Sequence, residues 1–156
     1  MPSSTPWRSP FVTLRAPEWV FAMYAFLMHF AWEMLQTPFF AGMSDMKHWP
    51  ATLMCLKATL GDVTIALAAT SLAGLAARDR GWFLASDIRG IGTYFGVGLA
   101  LTIALELHAL RTGRWAYSAL MPTVPGLGVG LVPLLQWIVI PLATAFVVRR
   151  HHLGVR

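Results

Sequence analysis

Residues 90–110 read GIGTYFGVGLALTIALELHAL and decide the fold class of this chain. At about 1.5 Å of rise per residue, a helix over this run is about 30 Å long, which matches the hydrocarbon core of a bilayer. Its single carboxyl group belongs to Glu106, and a charge at the centre of a membrane helix costs about 2.5–3.5 kcal/mol on insertion scales. The run therefore predicts a membrane-spanning helix and makes Glu106 a candidate functional residue.

The composition of the whole chain favours a membrane protein with several spans. Of the 156 residues, 56% are hydrophobic and only 12% are charged, which is about half the charged fraction of a typical soluble domain. The apolar residues also fall in long runs, and four spans are predicted at residues 18–40, 51–77, 90–110 and 127–148. The predicted fold class is an all-α, polytopic transmembrane four-helix bundle in one domain, with tails at residues 1–17 and 149–156.

The distribution of lysine and arginine predicts the orientation of the bundle. One side carries the N-terminal tail, the loop between the second and third spans, and the basic C-terminal tail; the other side has Lys47, Arg111 and Arg114. By the positive-inside rule both termini are cytoplasmic, and the protein is expected in the cytoplasmic (inner) membrane of a bacterium. The cytoplasmic arginines are Arg8, Arg15, Arg78, Arg80, Arg89, Arg149, Arg150 and Arg156.

The net charge of +5 does not predict a nucleic-acid partner. The arginines lie in short loops and tails beside apolar runs, where they act as topology signals and contact anionic lipids, so membrane lipids are the expected partners. Tryptophans near the span ends are expected in the headgroup region; they are Trp19, Trp49, Trp82 and Trp115.

Polar residues inside the first span share one helical face. His29, Glu33 and Gln36 stand at i, i+4 and i+7, so their side chains are predicted to point together into the bundle. Counting the helical rise from the predicted span ends places this face between the midplane and the outer surface. The second and fourth spans add polar residues at similar depth, namely Lys57, Asp62 and Gln136.

The second span contains both a cation and a carboxylate. Lys57 and Asp62 are five residues apart, which is about 140° around a helix, so each is expected to pair with another helix. Glu33 and Glu106 are the natural ion-pair partners for Lys57, and such a cluster could also serve only to fix helix order. His108 points away from Glu106 and is expected at the rim.

The stretch after the third span carries a second group of candidate residues. Arg111, Trp115 and Tyr117 fall in a loop that re-enters the membrane through PGLGVG at residues 125–130. Trp115 and Tyr117 are predicted either to cover a site that opens to the outer leaflet or to belong to an aromatic belt.

This stretch resembles a family. The order Glu106, Gly113, Trp115-x-Tyr117, Pro122 and a Gly/Pro-rich re-entry, over about a quarter of the chain, resembles small integral-membrane carotenoid enzymes of the lycopene cyclase domain and carotenoid hydratase type. The resemblance implies an isoprenoid substrate and a role for Glu106 as proton donor.

These observations lead to a candidate site and three alternative functions. The first is an enzyme that binds a lipophilic, isoprenoid or lipid-like molecule and transforms it by acid–base chemistry. The others are a non-catalytic accessory subunit of a membrane complex and a small proton- or ion-coupled transporter. The predicted catalytic residues are Glu33, Glu106 and Asp62, and the predicted substrate-binding residues are His29, Gln36, Lys57, Arg111, Trp115, Tyr117 and Gln136.

The sequence leaves the cofactor and the oligomeric state open. Haem with two axial histidines is not indicated, because His29 and His108 are expected about 11 Å apart in depth, and no metal motif is found. Small residues predict close helix packing, either inside the bundle or at a homo-oligomer or membrane-complex interface. They are Gly92 and Gly96 in the third span and Ala66, Ala69, Ala73 and Ala77 in the second.

Overall fold

The structure is a computed structural model that describes residues 17–79 and 81–154. Within these ranges the fold is all-α, with two isolated β-bridges and no strand. The helices are α1 (Pro17–Gln36), α2 (His48–Ala77), α3 (Trp82–Ala85), α4 (Ile88–Arg111) and α5 (Leu131–Gly154), and a 3-10 turn follows α1 at Thr37–Phe39. The predicted tail with Arg8 and Arg15, together with Arg80 and Arg156, lies outside the described residues.

Three of the long helices have the length and apolarity needed to cross a membrane. They are His48–Ala77, Ile88–Arg111 and the part of α5 from Leu131 to His151. The predicted all-α class is confirmed, and the length and apolarity of these three helices support a multi-pass membrane protein.

Several helix boundaries differ from the prediction for local reasons. The first helix ends at Gln36 and not at residue 40, because Pro38 disfavours the helical conformation of the residue before it. The last helix begins at Leu131 and not at residue 127, since Gly126 and Gly128 have φ of 79° and 71°, which a right-handed helix does not allow. This helix also continues to Gly154, so most of the predicted tail at 149–156 is helical.

The two prolines of α5 have different positions in the helix. Pro133 lies in the first turn of α5, where the backbone N–H groups have no partner within the helix, so a proline costs no hydrogen bond there. Pro141 lies inside the helix.

The four long helices pack in a closed ring, in which α2 contacts α1 and α4, and α5 contacts the same two helices from the other side. On α2 the predicted small-residue face is confirmed, because Ala66, Ala69 and Ala73 are fully buried.

The buried residues of α4 are spaced four apart from Gly90 to Glu106, and Ala109 follows on the same face. The α4 residues on the buried face are Gly90, Tyr94, Gly98, Thr102, Glu106 and Ala109.

The close packing on α4 occurs at a different glycine from the one predicted. Gly92 and Gly96 are exposed, and a Cβ at either position would meet no atom within 4 Å. Gly98 instead lies against the indole of Trp137, where a Cβ would be 2.6 Å from Cζ3 and closer still to Cε3. Packing of Gly92 and Gly96 inside the bundle was therefore wrong, because the position of Trp137, and not the glycine spacing, decides which face of α4 is approached; their packing against another subunit stays a prediction.

Trp82 also departs from its predicted place in the headgroup region. It is only 4% exposed, and its indole N–H donates to the carbonyl oxygen of Thr70 at 3.3 Å. Its ring lies under Gly90, so the short helix α3 closes one end of the bundle. Trp19 and Trp49 are exposed, at 55% and 67%.

Candidate functional site

A cavity of about 460 Å³, which we call the central cavity, lies at the end of the bundle where α1 ends and α5 begins. Its volume falls in the range of small-molecule sites. All four long helices contribute to its wall, as do the segments that follow α1 and α4. Because Lys57, Ala58 and Gly61 of α2 line the cavity and are exposed, it reaches the surface on the side of α2.

The lining combines three carboxyl groups with a mainly apolar wall. Glu33, Asp62 and Glu106 come from α1, α2 and α4 respectively. The apolar part of the wall includes Phe40, Met43, Met46, Met54, Ile65, Leu105, Trp115 and Trp137. A site of this composition can hold an apolar molecule and present it to a few polar groups.

The amide of Gln136 joins three helices at the base of the cavity. Its Nε2 lies 2.8 Å from Nδ1 of His29, 3.2 Å from Oε1 of Glu33 and 3.0 Å from Oδ2 of Asp62. An amide nitrogen carries two hydrogens, so it cannot satisfy all three acceptors at once. The predicted face of α1 is confirmed, because His29, Glu33 and Gln36 are 1%, 8% and 5% exposed.

Glu33 and Asp62 face the same donor. The Nε2 atom of Gln136 lies within 3.2 Å of one carboxyl oxygen of each, so the two carboxyl groups lie side by side at the base of the cavity. Gln36 donates to Oε1 of Glu33 at 2.7 Å and accepts from the indole of Trp32 at 3.2 Å. The two carboxyl groups are therefore held by the amides of Gln36 and Gln136.

The imidazole ring of His29 is the remaining member of the hydrogen-bond network around Gln136. Its Nδ1 lies 3.5 Å from Oδ2 of Asp62, and its buried Nε2 has no hydrogen-bond partner among the described residues. An acceptor nitrogen at Nδ1, facing Gln136, places the proton on Nε2. In the described part of the chain no group of three or more His, Cys, Asp and Glu side chains is arranged to hold a metal ion.

Glu106 is held by the loop between α4 and α5. Its Oε2 accepts hydrogen bonds from the hydroxyl of Tyr117 and from the indole N–H of Trp115, the latter at 3.3 Å. No described residue donates to the other oxygen, Oε1, and Glu106 itself lines the cavity. The loop thus fixes the orientation of this carboxyl group and leaves one oxygen for a ligand.

Tyr117 is itself fixed by the backbone. The N–H of Gly130 donates to its hydroxyl oxygen at 2.9 Å, so the hydroxyl proton points to Glu106. Burial raises the pKa of Tyr117, and the hydrogen bond to Glu106 raises this pKa further. The hydroxyl therefore stays protonated at neutral pH and remains a donor.

The segment after α1 is joined to the segment after α4. Phe40 and Tyr117 form an antiparallel bridge, in which the N–H of Ala41 donates to the carbonyl of Ala116 and that of Ser118 to the carbonyl of Phe39, both at 2.9 Å. The two segments thus form one cover over the cavity. The sequence contains no local signal for this pairing, because the partners are far apart along the chain.

The structure brings most of the predicted site residues together. Lys57 lines the cavity but is exposed, and its predicted ion pairs with Glu33 and Glu106 are not formed; the one contact within 4.0 Å between a basic and an acidic side chain among the described residues joins His29 and Asp62. Arg111 is exposed at the end of α4 and does not line the cavity, whereas Arg114 does. The predicted residues that line the cavity or hydrogen-bond to those that do are His29, Glu33, Gln36, Lys57, Asp62, Glu106, Trp115, Tyr117 and Gln136.

Other lining residues were not expected from the sequence. Phe40, Met43 and Met46 lie in the segment after α1, around the end of the first predicted span. The run FFAGM at residues 39–43 is unusually apolar for a loop, and this was the available signal.

Replacement of Tyr117 by phenylalanine is expected to destabilise the fold by about 1–3 kcal/mol. The change removes the donor to Glu106 and leaves the N–H of Gly130 without its acceptor. Thermal unfolding in detergent measures the effect. Tyr94→Phe is the matched control, because the side chain of Tyr94 is buried and none of the described residues hydrogen-bonds to its hydroxyl; equal losses for both variants would contradict the prediction.

Comparisons with protein-family models, with curated proteins and with solved structures find no match to this chain.

Proposed function

We propose that the chain is a four-span protein of a bacterial inner membrane that binds a lipophilic molecule, isoprenoid or lipid-like, in the central cavity and transforms it by acid–base chemistry. Both termini are cytoplasmic in this proposal, and the cavity lies in the outer half of the bilayer. The observation that carries the proposal is a largely apolar cavity into whose wall three helices each bring one carboxyl group.

Two properties of the chain support the fourth span and the orientation. Helix α1 has 20 residues and, at about 1.5 Å per residue, is about 30 Å long, so it matches the bilayer core like its neighbours. Along the sequence, most lysines and arginines fall in the tails and in the loop between the second and third spans, which favours a cytoplasmic location for these segments.

The shape and lining of the cavity support the proposal that its polar residues bind a lipophilic ligand and do not serve only to fix the order of the helices. A structural cluster would fill its own space with paired side chains, whereas here about 460 Å³ remains open beside the carboxyl groups. The exposed α2 residues at its edge lie on a helix that can cross the membrane, so a ligand can enter sideways from the lipid.

The chemistry follows from the two differently held carboxyl sites. Glu106, protonated on Oε1, donates its proton to a carbon–carbon double bond; the new C–H bond forms, and Glu106 becomes a carboxylate stabilised by Tyr117 and Trp115. The resulting carbocation is stabilised by the faces of Trp115 and Trp137. Loss of a neighbouring proton from this cation to the Glu33–Asp62 pair restores a double bond at a new position. Alternatively, a second double bond of the substrate attacks the cation and closes a ring, and the new cation then loses its proton to the same pair. Return of this proton to Glu106 completes the cycle.

The proposal agrees with the resemblance of residues 106–122 to carotenoid enzymes, in which Glu106 would be the proton donor. The two other functions do not require a lipophilic molecule to stay bound to the purified protein. An accessory subunit needs no small molecule, and a transporter needs instead a water-accessible path through the bundle. Analysis of the purified protein for bound molecules therefore separates both from the proposed function.

Filling the central cavity is expected to remove the bound molecule. Gly61 lines the cavity, and a Cβ there would meet no atom within 4 Å. A phenylalanine at this position can therefore be accommodated without a clash at its Cβ, and its ring would occupy the space of the ligand. We expect Gly61→Phe to co-purify with about tenfold less of the lipophilic molecule than the parent chain, since overpacking costs about 1–3 kcal/mol. Mass spectrometry of organic extracts from the purified protein measures this ratio.

Gly92→Phe is the matched control for this experiment. Gly92 is also a helical, exposed glycine with no atom within 4 Å of a Cβ, and it does not line the cavity. A parent protein that retains no lipophilic molecule, or equal retention by both variants, would refute the proposed binding site.

A further inference from the structure

A second cavity lies at the opposite end of the bundle and shares no lining residue with the central cavity. It has a volume of about 460 Å³ and runs between α4 and α5, with α3 at its end. We call it the aromatic groove. Phe21, Trp82 and Tyr94, which line it, are 2–4% exposed.

The aromatic groove opens to the lipid-facing surface. Leu142 and Phe146 of α5 line it and are 57% and 60% exposed, and Phe95 of α4 lines the opposite side. The groove is therefore an apolar channel with a buried floor and an open side. Such a surface suits a flexible hydrocarbon chain better than a side chain of the same protein.

The same groove ends at two arginines. Arg149 and Arg150 line it and are exposed, and neither lies within 4.0 Å of a carboxylate among the described residues. The guanidinium of Arg150 lies 5.5 Å from the ring centre of Phe146, a cation–π distance that holds this charge over the apolar channel.

The dimensions match one acyl chain with its headgroup. From Pro141 to Arg150 the groove follows α5 over about 13 Å of helical rise, close to the roughly 15 Å of one bilayer leaflet. Basic side chains at the end of an apolar groove between membrane helices are the chemistry that recognises an anionic lipid headgroup. We infer that the aromatic groove binds one anionic phospholipid, with an acyl chain along α5 and the phosphate on Arg149 and Arg150.

Lipid titration of the purified protein, read by native mass spectrometry, tests this inference. The probes are phosphatidylglycerol and phosphatidylcholine with identical acyl chains. We expect the parent protein to bind phosphatidylglycerol more tightly, and the double variant R149Q/R150Q to bind it about 30-fold more weakly, because each arginine near an anionic lipid contributes about a factor of five. The control R78Q/R111Q removes two exposed arginines that do not line the groove and should bind as the parent does.

A second variant separates the apolar channel from the charges. Ala145→Trp fills the groove and keeps both arginines, so it should also lose phosphatidylglycerol, whereas free phosphate in excess should not compete with the lipid. Equal binding of the two lipids by the parent protein would overturn the inference. It would also be overturned by unchanged binding in R149Q/R150Q, or by displacement with inorganic phosphate alone. None of these outcomes depends on the central cavity.

Discussion

Glu106→Gln is expected to lower conversion of the bound substrate by about 10²–10⁴-fold, the usual contribution of a positioned general acid. Glutamine has nearly the same size and keeps an oxygen that accepts from Trp115 and Tyr117, so the loop over the cavity should stay in place. It cannot release a proton to a double bond. The expected result is therefore a protein that folds, still binds its ligand and no longer converts it.

The measurement compares whole-lipid extracts of cells that express the parent chain, the variant or no protein. Mass spectrometry should find a species that depends on the parent chain and is absent with Glu106→Gln, while the unconverted molecule co-purifies with the variant. Asp45→Asn is the control, because Asp45 is an exposed carboxylate in the loop before α2 that does not line the cavity. Full conversion by Glu106→Gln would exclude Glu106 as the acid but leave ligand binding, tested with Gly61→Phe, unaffected.

Gly98→Ala is expected to destabilise the fold by about 1–3 kcal/mol, the usual cost of overpacking a core. The new methyl group would overlap Cε3 and Cζ3 of Trp137. Trp137 is 1% exposed and packs against Tyr94 and His29, so its ring has little space into which to move. The change should lower the midpoint of thermal unfolding in detergent.

Gly96→Ala is the matched control, two residues earlier on the same helix. A Cβ at Gly96 would meet no atom within 4 Å, so the substitution should be neutral or stabilise the helix by about 0.5–1 kcal/mol through the lower backbone entropy of alanine. Similar destabilisation by both variants would contradict the packing described for Gly98 and would instead indicate that Gly92 and Gly96 face a partner.

The features that could be predicted from the sequence are those that depend only on residue spacing within one helix. The shared face of His29, Glu33 and Gln36 follows from helical geometry, and so does the outward position of His108. Contacts between helices could not be predicted in this way, because they depend on how each helix is rotated about its axis relative to its neighbours. Lys57 was therefore given ion-pair partners that it does not contact.

The same limit applies to the residues that hold Glu106. Trp115 and Tyr117 were candidates as a cover for the site, but their hydrogen bonds to Glu106 depend on a loop whose path is set by its bridge to Phe40. No spacing rule connects residue 40 with residue 117. Gly98, which packs against Trp137, could not be identified from a G-x-x-x-G pattern either. The pattern describes one helix and contains no information about the residue on the neighbouring helix.

The bridge between Phe40 and Tyr117 has a consequence for how the cavity exchanges its contents. Since each of the two joined segments uses the other for its backbone hydrogen bonds, neither can open alone without losing them. The segments should unfold locally as one cooperative unit, so that the amides of Ala41 and Ser118 exchange with solvent deuterium at the same rate. Release through this end of the cavity would then be governed by a single opening equilibrium, while α2 provides a route that leaves the unit intact.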